Sequence, residues 1–553
     1  MKVIIIGGVA GGASCAARLR RLDEHAEILM VERGPYVSFA NCGLPYHVGG
    51  VIEEEASLLV SDEETFRTKF AIEVRTRCEA VAVDPVQKSV DLKDLGSGEI
   101  TTERYDKLVL SPGAASIRPP LPGIDLPGIF QVRTVPDARA IREWIGKGAS
   151  SSTDPARGPA PRAVVIGGGF IGLEMVENLV HRGIEVTLVE MLDQVLAPLD
   201  REQARRVEAR LERRGVILAL GDGVAGFETG SGGGLRVLTR SGTVHPADLV
   251  ILALGVRPET GLAKMAGLEI GARGGIRVDE HMITSNPDIL AVGDAVEVKD
   301  FVTGEWSLIA LAGPANRQGR IAADVIAGRD SRYRGTQGTS IIGVFGTTVA
   351  WTGASEKTLR RLGDTDWEKV YLCPNSHAGY YPGAEPIAMK VIFRKSDGRL
   401  LGAQAVGMDN VDKRISALAL AIQMGATVYD LEEAELCYAP QFGSAKDPVN
   451  FAGMVAAGVL RGDMPLAHWE AAGGAFVLDV REPEEVALEP VPGALGIPLA
   501  EVRARLDELP RDREILVTCR SGQRAYLATR ILLQHGYRAR NLSGGFLFRG
   551  GAP

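Results

Sequence analysis

Cysteine is scarce in this chain: 553 residues carry six, Cys15, Cys42, Cys78, Cys373, Cys437 and Cys519. No Cys-x-x-Cys pair occurs, and no cysteine–histidine spacing matches a zinc site, so no metal site is expected. So sparse a set in so long a chain fits a reducing compartment and a cytoplasmic location. Most of the six are expected to be small buried hydrophobes. No stretch of about 18 uninterrupted apolar residues is present, which argues against a transmembrane helix. There is no excess of positive charge either: the formal net charge is -8. Nucleic acid and anionic membrane are therefore poor candidates for the main partner. Short-period repeats and low-complexity tracts are lacking as well.

What remains is an ordinary globular composition, 45% hydrophobic and 24% charged. At roughly 100–200 residues per domain the length predicts about three or four domains. The apolar start, MKVIIIGGVAGGASCAARLRR, could pass for a signal peptide. A buried strand and a glycine turn is the better reading, because Gly7, Gly8, Gly11 and Gly12 would break up a helical apolar core.

Lys2 to Ile6 read as a buried strand, followed by glycines, a helix over Ser14–Leu22 and a second strand, Glu27–Glu32, ending in an acid. The same βαβ pattern returns at Ala163–Glu190, so two dinucleotide sites are expected. Between them, 146–161 is rich in Gly, Ser and Pro and reads as a loop or linker. From about Tyr333 the segments look like antiparallel strands, with a helix around Lys413–Gly425. Arg461–Pro465 carry turn formers and mark a domain boundary, after which strands and helices alternate again.

In the first turn, Gly7, Gly8, Gly11 and Gly12 depart from G-x-G-x-x-G because Val9 takes the middle position. The helix N-terminus offers N–H groups to a pyrophosphate, and Glu32 can bond a ribose hydroxyl. In the second turn Gly167, Gly169 and Gly172 complete the pattern, and Glu190 closes the next strand. A carboxylate there accepts from the hydroxyls of an NAD ribose and repels an NADP phosphate. Met191 and Leu192 follow with no nearby Arg, so NADH is the expected nucleotide.

Cys42 lies in S38-F39-A40-N41-C42-G43-L44-P45-Y46. With GGVAGGASCAARLRRL, LSPGA, GGGFIGLE, AVGDAVE, LAGPANRQGR, GYYPGAEP and YAPQFGSAKDPVN, this segment resembles the coenzyme A disulfide reductases and NADH-dependent persulfide reductases of the pyridine nucleotide disulfide oxidoreductase group, over Met1 to about Phe451. The resemblance implies FAD in the first site, with Asp294 on its ribityl and pyrophosphate. It implies a homodimer in which Tyr438, and Tyr380 or Tyr381, complete the Cys42 site across subunits. It places Ser14, Arg18, Arg21, Ser38 and Asn41 along the arm and phosphates of coenzyme A. Arg18 and Arg21 are one helical turn apart and so share a face. Cys42 has no neighbouring cysteine and must store oxidation as a mixed disulfide, a persulfide or a sulfenic acid. Attack needs a thiolate, which the site must stabilise; Tyr438 could donate a proton to a leaving thiolate.

The segments LDVREPEE (478–485) and VTCRSGQR (517–524) resemble the rhodanese family across about 461–553. The resemblance makes Cys519 a carrier of sulfane sulfur inside a Cys-x-x-Gly-x-Arg loop, with Gly522 and Arg524. Such a loop aims N–H groups and a helix N-terminus at the sulfur. Arg520 and Arg524 add positive charge. Asp479 and Arg481 are expected to brace the fold.

The expected architecture is α/β. It comprises two Rossmann-like nucleotide-binding domains (FAD, 1–118 plus 250–330; NADH, 119–249), an α+β dimerisation domain (331–455), a linker (456–465) and a rhodanese α/β domain (466–553). The expected activity is NADH-dependent, FAD-mediated reduction of coenzyme A persulfide, polysulfide or coenzyme A disulfide at Cys42, fed by sulfur from Cys519. Two rivals stand beside it: an NADH oxidase or peroxidase working through a cysteine sulfenic acid, and a sulfurtransferase whose flavin part only senses redox state.

Overall fold

The computed structural model describes residues 1–149, 160–230 and 234–551. Residues 150–159, most of the stretch expected as a loop, lie outside them. Its first residues belong to a helix, Val135–Ala149.

The chain divides into two compact units. The first, Met1–Val195 with Gly215–Gly338, contains two parallel five-stranded sheets of the same design. One runs in the order Ile289–Ala291, Lys107–Leu110, Lys2–Ile6, Glu27–Val31, Glu73–Arg75. The other runs Ile217–Leu220, Glu185–Glu190, Arg162–Ile166, Leu249–Leu252, Ile129–Gln131. Fully buried runs such as Val3–Ile5 and Val164–Val165 are what a parallel sheet covered on both faces demands. Each sheet is accompanied by a three-stranded antiparallel one. Strand Leu249–Leu252 pairs with Arg162–Ile166. The domain boundary expected at 249/250 therefore moves past Leu252, where Val256–Pro258 pairs with Ala114–Ser116.

Helix α1 spans Ala10–Leu22, starting earlier than the expected Ser14. Gly11 and Gly12 lie inside its first turn because the helix must touch the end of the first strand: a Cβ on Gly12 would meet the Gly7 carbonyl oxygen at 1.9 Å. Helix α2, Phe170–His181, repeats this, with Gly172 against the Gly167 oxygen also at 1.9 Å.

The second unit holds Leu196–Arg214 and the chain from Thr339 onward. Its antiparallel sheet runs Ser340–Val344, Thr347–Gly353, Leu400–Gly407, Ala388–Arg394, Trp367–Leu372. Helix α3, Arg201–Arg213, is fastened to that sheet by a buried ionic knot. Lys390, fully buried, places its ammonium 2.7 Å from Asp200 and 2.6 Å from Glu202, and also bonds Glu356. Helix Pro448–Leu460 continues into the expected linker, so only 461–465 connect onward. A second sheet follows, all parallel, in the order Leu466–Ala467, Ala539–Leu542, Ile515–Thr518, Phe476–Asp479, Leu495–Gly496. No described helix is long and apolar enough to cross a membrane.

Candidate functional site

The two glycine turns are built alike. Gly7 and Gly167 both have left-handed φ, 98° and 110°. That conformation suits glycine alone. A Cβ at either would strike a carbonyl oxygen, of Ser111 or of Ala253. Gly8 N–H donates to Glu32 Oε2 at 2.9 Å, and Gly168 N–H to Glu190 Oε2 at 2.6 Å. The other carboxylate oxygens accept from Gly34 N–H at 2.7 Å and Leu192 N–H at 2.8 Å. Each acid is thus fixed beside its turn, at the carboxyl edge of a parallel sheet, where ligands of open α/β folds bind. Space beside Gly169 is open to 4 Å, as close approach of a pyrophosphate requires. Asp294 follows strand Ile289–Ala291 at that edge of the first sheet. Cradle, acid and Asp294 together fit an adenine dinucleotide bearing a flavin.

The Cys42 segment hangs from the first turn. Ser38, in a left-handed conformation (φ 47°), donates its N–H to the Gly8 oxygen at 2.7 Å. Asn41–Gly43 form a short 3-10 turn, and Leu44–Gly49 a helix. Gly43 has no room for a side chain, since a Cβ would lie 2.7 Å from Leu58 Cδ2. Gly49 packs so tightly on α2 that a Cβ would lie 2.0 Å from Asn178 Oδ1. Cys42 is exposed, whereas Cys15, Cys78 and Cys519 are buried.

Charges around Cys42 come from Asp294 and from two residues outside the expected site, Glu174 and Arg133. Partial burial pushes its thiol pKa up, and the Glu174 and Asp294 carboxylates push the same way. Arg133 and the local backbone pull it down. Arg133 Nη2 lies 3.3 Å from Asp294 Oδ2. Tyr46 donates its hydroxyl to Glu174 Oε1 at 3.4 Å. Burial lifts the Glu174 carboxyl to about 7, with Glu177 adding to the rise and Tyr46 opposing it. Glu174 lies two residues beyond Gly172 in the second glycine motif, the one hint the sequence offers. Arg133 sits outside every motif.

Of the residues expected along a coenzyme A arm, Ser14, Arg18 and Arg21 lie on α1 and Ser38 and Asn41 in the Cys42 segment. Ser14 bonds Asn316, and Arg18 pairs with Asp324 at 2.8 Å, both on helix Ala312–Ile326. Arg21, one turn on from Arg18 along α1, is exposed. Ser38 and Asn41 stay beside Cys42. In the second unit Tyr380 and Tyr438 are exposed, their hydroxyls 2.8 Å apart; Tyr381 packs its ring on His377 instead.

Cys519 ends the central strand Ile515–Thr518 of the last sheet. Its Sγ accepts from Gly522 N–H at 3.1 Å, and Gly522, with φ 96°, opens helix α4, Gln523–Gln534. Arg524 forks onto Glu485 at 2.6 and 2.8 Å rather than onto the sulfur. Arg520 is exposed at the loop tip. Asp479 and Arg481 form a buried pair at 2.7 Å. Among the described residues the cluster with metal-ligand spacing is Asp200, Glu202 and Glu356, already filled by the Lys390 ammonium.

Comparison with known proteins agrees with this geometry. Residues 1–319 match the pyridine nucleotide-disulphide oxidoreductase model, 339–447 its dimerisation domain, and 466–547 the rhodanese-like domain. The coenzyme A disulfide reductase of Staphylococcus epidermidis is 33% identical over 453 residues, 82% of this chain and 99% of that protein. The crystal structure of reduced Bacillus anthracis CoADR-RHD superposes with a TM-score of 0.95 at 48% identity, covering 100% of this chain and 98% of that one. A NAD-dependent persulfide reductase from A. fulgidus follows with a TM-score of 0.91 at 38% identity, covering 99% and 100%.

Proposed function

The chain belongs to the pyridine nucleotide-disulphide oxidoreductase family, and from that premise we propose that it is an NADH-dependent reductase of sulfur–sulfur bonds in coenzyme A persulfide, polysulfide or coenzyme A disulfide, working through Cys42 and supplied with sulfur by Cys519. The observation that carries this reading is one exposed thiol held by backbone hydrogen bonds to a dinucleotide cradle, with a rhodanese loop on the same chain. Gly7, Gly8, Gly11, Gly12, Glu32 and Asp294 would hold FAD, which when bound supplies two-electron exchange between nicotinamide and sulfur; Gly167, Gly169, Gly172 and Glu190 would hold NADH.

The chain's own residues do the rest. The Cys42 thiolate attacks the S–S bond of the substrate, one thiol leaves, and a mixed disulfide or persulfide remains on Cys42. The first leaving thiol takes one proton; one hydride equivalent then returns Cys42 to the thiolate and releases the second thiol or hydrogen sulfide, so each S–S bond consumes one hydride equivalent and one proton. The protein alone raises the Cys42 pKa, so the anion depends on bound groups for its stability. In a homodimer the partner subunit's Tyr438 and the partner subunit's Tyr380 would stand over the thiol as one hydrogen-bonded pair, donating a proton to the leaving sulfur. Ser14, Arg18, Arg21, Ser38 and Asn41 would position coenzyme A. The rhodanese loop favours persulfide as the working substrate, since a sulfane-sulfur carrier serves no symmetric disulfide. A cytoplasmic location fits these reduced thiols.

The test is Cys42→Ser in the flavin-loaded protein. NADH-dependent reduction of coenzyme A persulfide and of coenzyme A disulfide should both fall by roughly a thousandfold or more, as when a nucleophile is removed. Retention of either activity, or NADH consumption by wild type that needs only oxygen or peroxide, would defeat the reading.

A further inference from the structure

The second unit has a cavity that the mechanism above leaves unused. Helix α3 turns Arg205, Arg206 and Arg213 toward Leu547 and Phe548, and with Glu202 they line a space of about 260 Å³. Three guanidinium groups face one carboxylate. That carboxylate is already engaged, 2.6 Å from Lys390 Nζ and 3.0 Å from the Tyr371 hydroxyl.

Arg206 is the centre of the site. Its Nη2 donates to the Leu547 oxygen at 2.8 Å, and its guanidinium lies 4.5 Å from the Phe548 ring centroid. Its Nε is buried with no hydrogen-bond partner. Among the described residues no carboxylate forms an ion pair with it. Burial lowers its pKa, against the pull of Cys373 and Glu202. A cation taken out of water without a counter-charge is costly, so an anion entering this space is favoured.

The cavity also borders the sulfur loop. Leu547 N–H donates to the Arg520 oxygen at 3.0 Å, and Phe546 N–H to the Cys519 oxygen at 2.7 Å. The backbone that forms one wall therefore holds the loop in place. The volume is below the roughly 300–1,000 Å³ that encloses a whole drug-sized ligand. It suits the phosphate end of a longer molecule.

We propose that this cavity is an anion subsite holding the phosphate of the phosphorylated thiol that exchanges sulfane sulfur with Cys519. The proposal rests on the reading of Cys519 as sulfur carrier. In the transfer, the carrier thiolate attacks the outer sulfur of the Cys519 persulfide. One S–S bond forms as another breaks, Cys519 leaves as a thiolate, and no net oxidation or reduction occurs. Coenzyme A has the required phosphates and a long arm. A sulfur oxyanion such as thiosulfate shares the tetrahedral anionic chemistry.

The test uses full-length protein with Cys42→Ser, its Cys519 loaded with sulfane sulfur and the loading verified by mass. Single-turnover transfer is followed to coenzyme A, to dephospho-coenzyme A and to dithiothreitol. The rate ratio of coenzyme A over dithiothreitol should fall about tenfold or more in Arg213→Gln and in Arg205→Gln, the effect of losing one charge-assisted hydrogen bond. Dephospho-coenzyme A should be the poorer acceptor in the parent protein, and inorganic phosphate should compete with coenzyme A there. Unchanged ratios in both variants would overturn the proposal. So would arginine dependence seen only when thiosulfate is the donor, which would assign the cavity to the donor side. If Cys519 takes up no sulfur at all, the subsite and the carrier reading fall together. Reduction at Cys42, measured separately in Cys519→Ser, stays informative in every case.

Discussion

Tyr46 and Glu174 meet through a hydrogen bond of 3.4 Å that joins the helix after Cys42 to the helix after the second glycine turn. The redox thiol is thereby in the field of a carboxylate that burial holds at about 7. Both Glu174 and Asp294 oppose ionisation of Cys42, and Arg133 favours it. Glu174→Gln should shift the pH profile of Cys42 alkylation to lower pH, because a negative charge is removed from beside the forming thiolate. Arg133→Gln should shift it to higher pH. Rates of iodoacetamide labelling at Cys42 against pH measure both, and identical profiles would show that the two charges do not reach the sulfur.

The Lys390 knot predicts a stability effect without a change of chemistry. Burial works to raise the Glu356 pKa, but Lys390 and Lys369 outweigh it and hold the carboxyl at about 2, below its ordinary 4.5. A depressed carboxyl stabilises the fold above its unfolded value and loses that contribution as pH falls toward 2. Lys390→Met leaves Asp200, Glu202 and Glu356 facing one another and should cost about 3–5 kcal/mol at neutral pH. Urea unfolding from pH 7 downward should show the deficit shrinking with acid.

Nucleotide choice turns on Glu190 and on a neighbour that linear spacing hid. Residues 191 and 192 supply no cation, yet Arg240, in the turn after strand Leu235–Thr239 and 49 residues away in sequence, comes within 3.9 Å of Met191 Sδ. Glu190→Ala should therefore raise kcat/KM for NADPH by about tenfold or more, with Arg240 receiving the 2′-phosphate. Adding Arg240→Gln should remove that gain. Parallel NADH and NADPH assays of the single and double variants decide it.

Cys519 and Cys42 should be separable. Cys519→Ser should abolish sulfane-sulfur transfer and leave NADH-dependent reduction of coenzyme A disulfide within about twofold, since the two thiols belong to different loops of different sheets, in different compact units, and share no hydrogen-bond partner among the described residues. Loss of disulfide reduction in that variant would favour a protein that is mainly a sulfurtransferase.

Local sequence carried far in this molecule where the physics is local. Strand, glycine turn and closing acid at Lys2–Glu32 and Ala163–Glu190 lie within one βαβ unit, and both turns have the same hydrogen bonds. Helix α1 starts at Ala10 and not at the expected Ser14: glycine usually weakens a helix, but here Gly12, like Gly172 in α2, is needed for close contact with the preceding glycine turn. Contacts between distant segments were not legible. Arg133 beside Asp294, Asn178 against Gly49, Arg240 near Met191 and Asp324 of helix Ala312–Ile326 paired with Arg18 all depend on tertiary packing. The strand Leu249–Leu252 likewise reveals its sheet only through its partner.

The most direct measurement is the mass of Cys42 in oxidised, flavin-loaded protein treated with coenzyme A disulfide and then with NADH. Peptide mass spectrometry should find one coenzyme A joined to Cys42 by a disulfide before NADH and a free thiol after it, with the other exposed cysteine, Cys437, unmodified. A Cys42 that never carries coenzyme A or added sulfur, while the enzyme still turns over, would contradict the account.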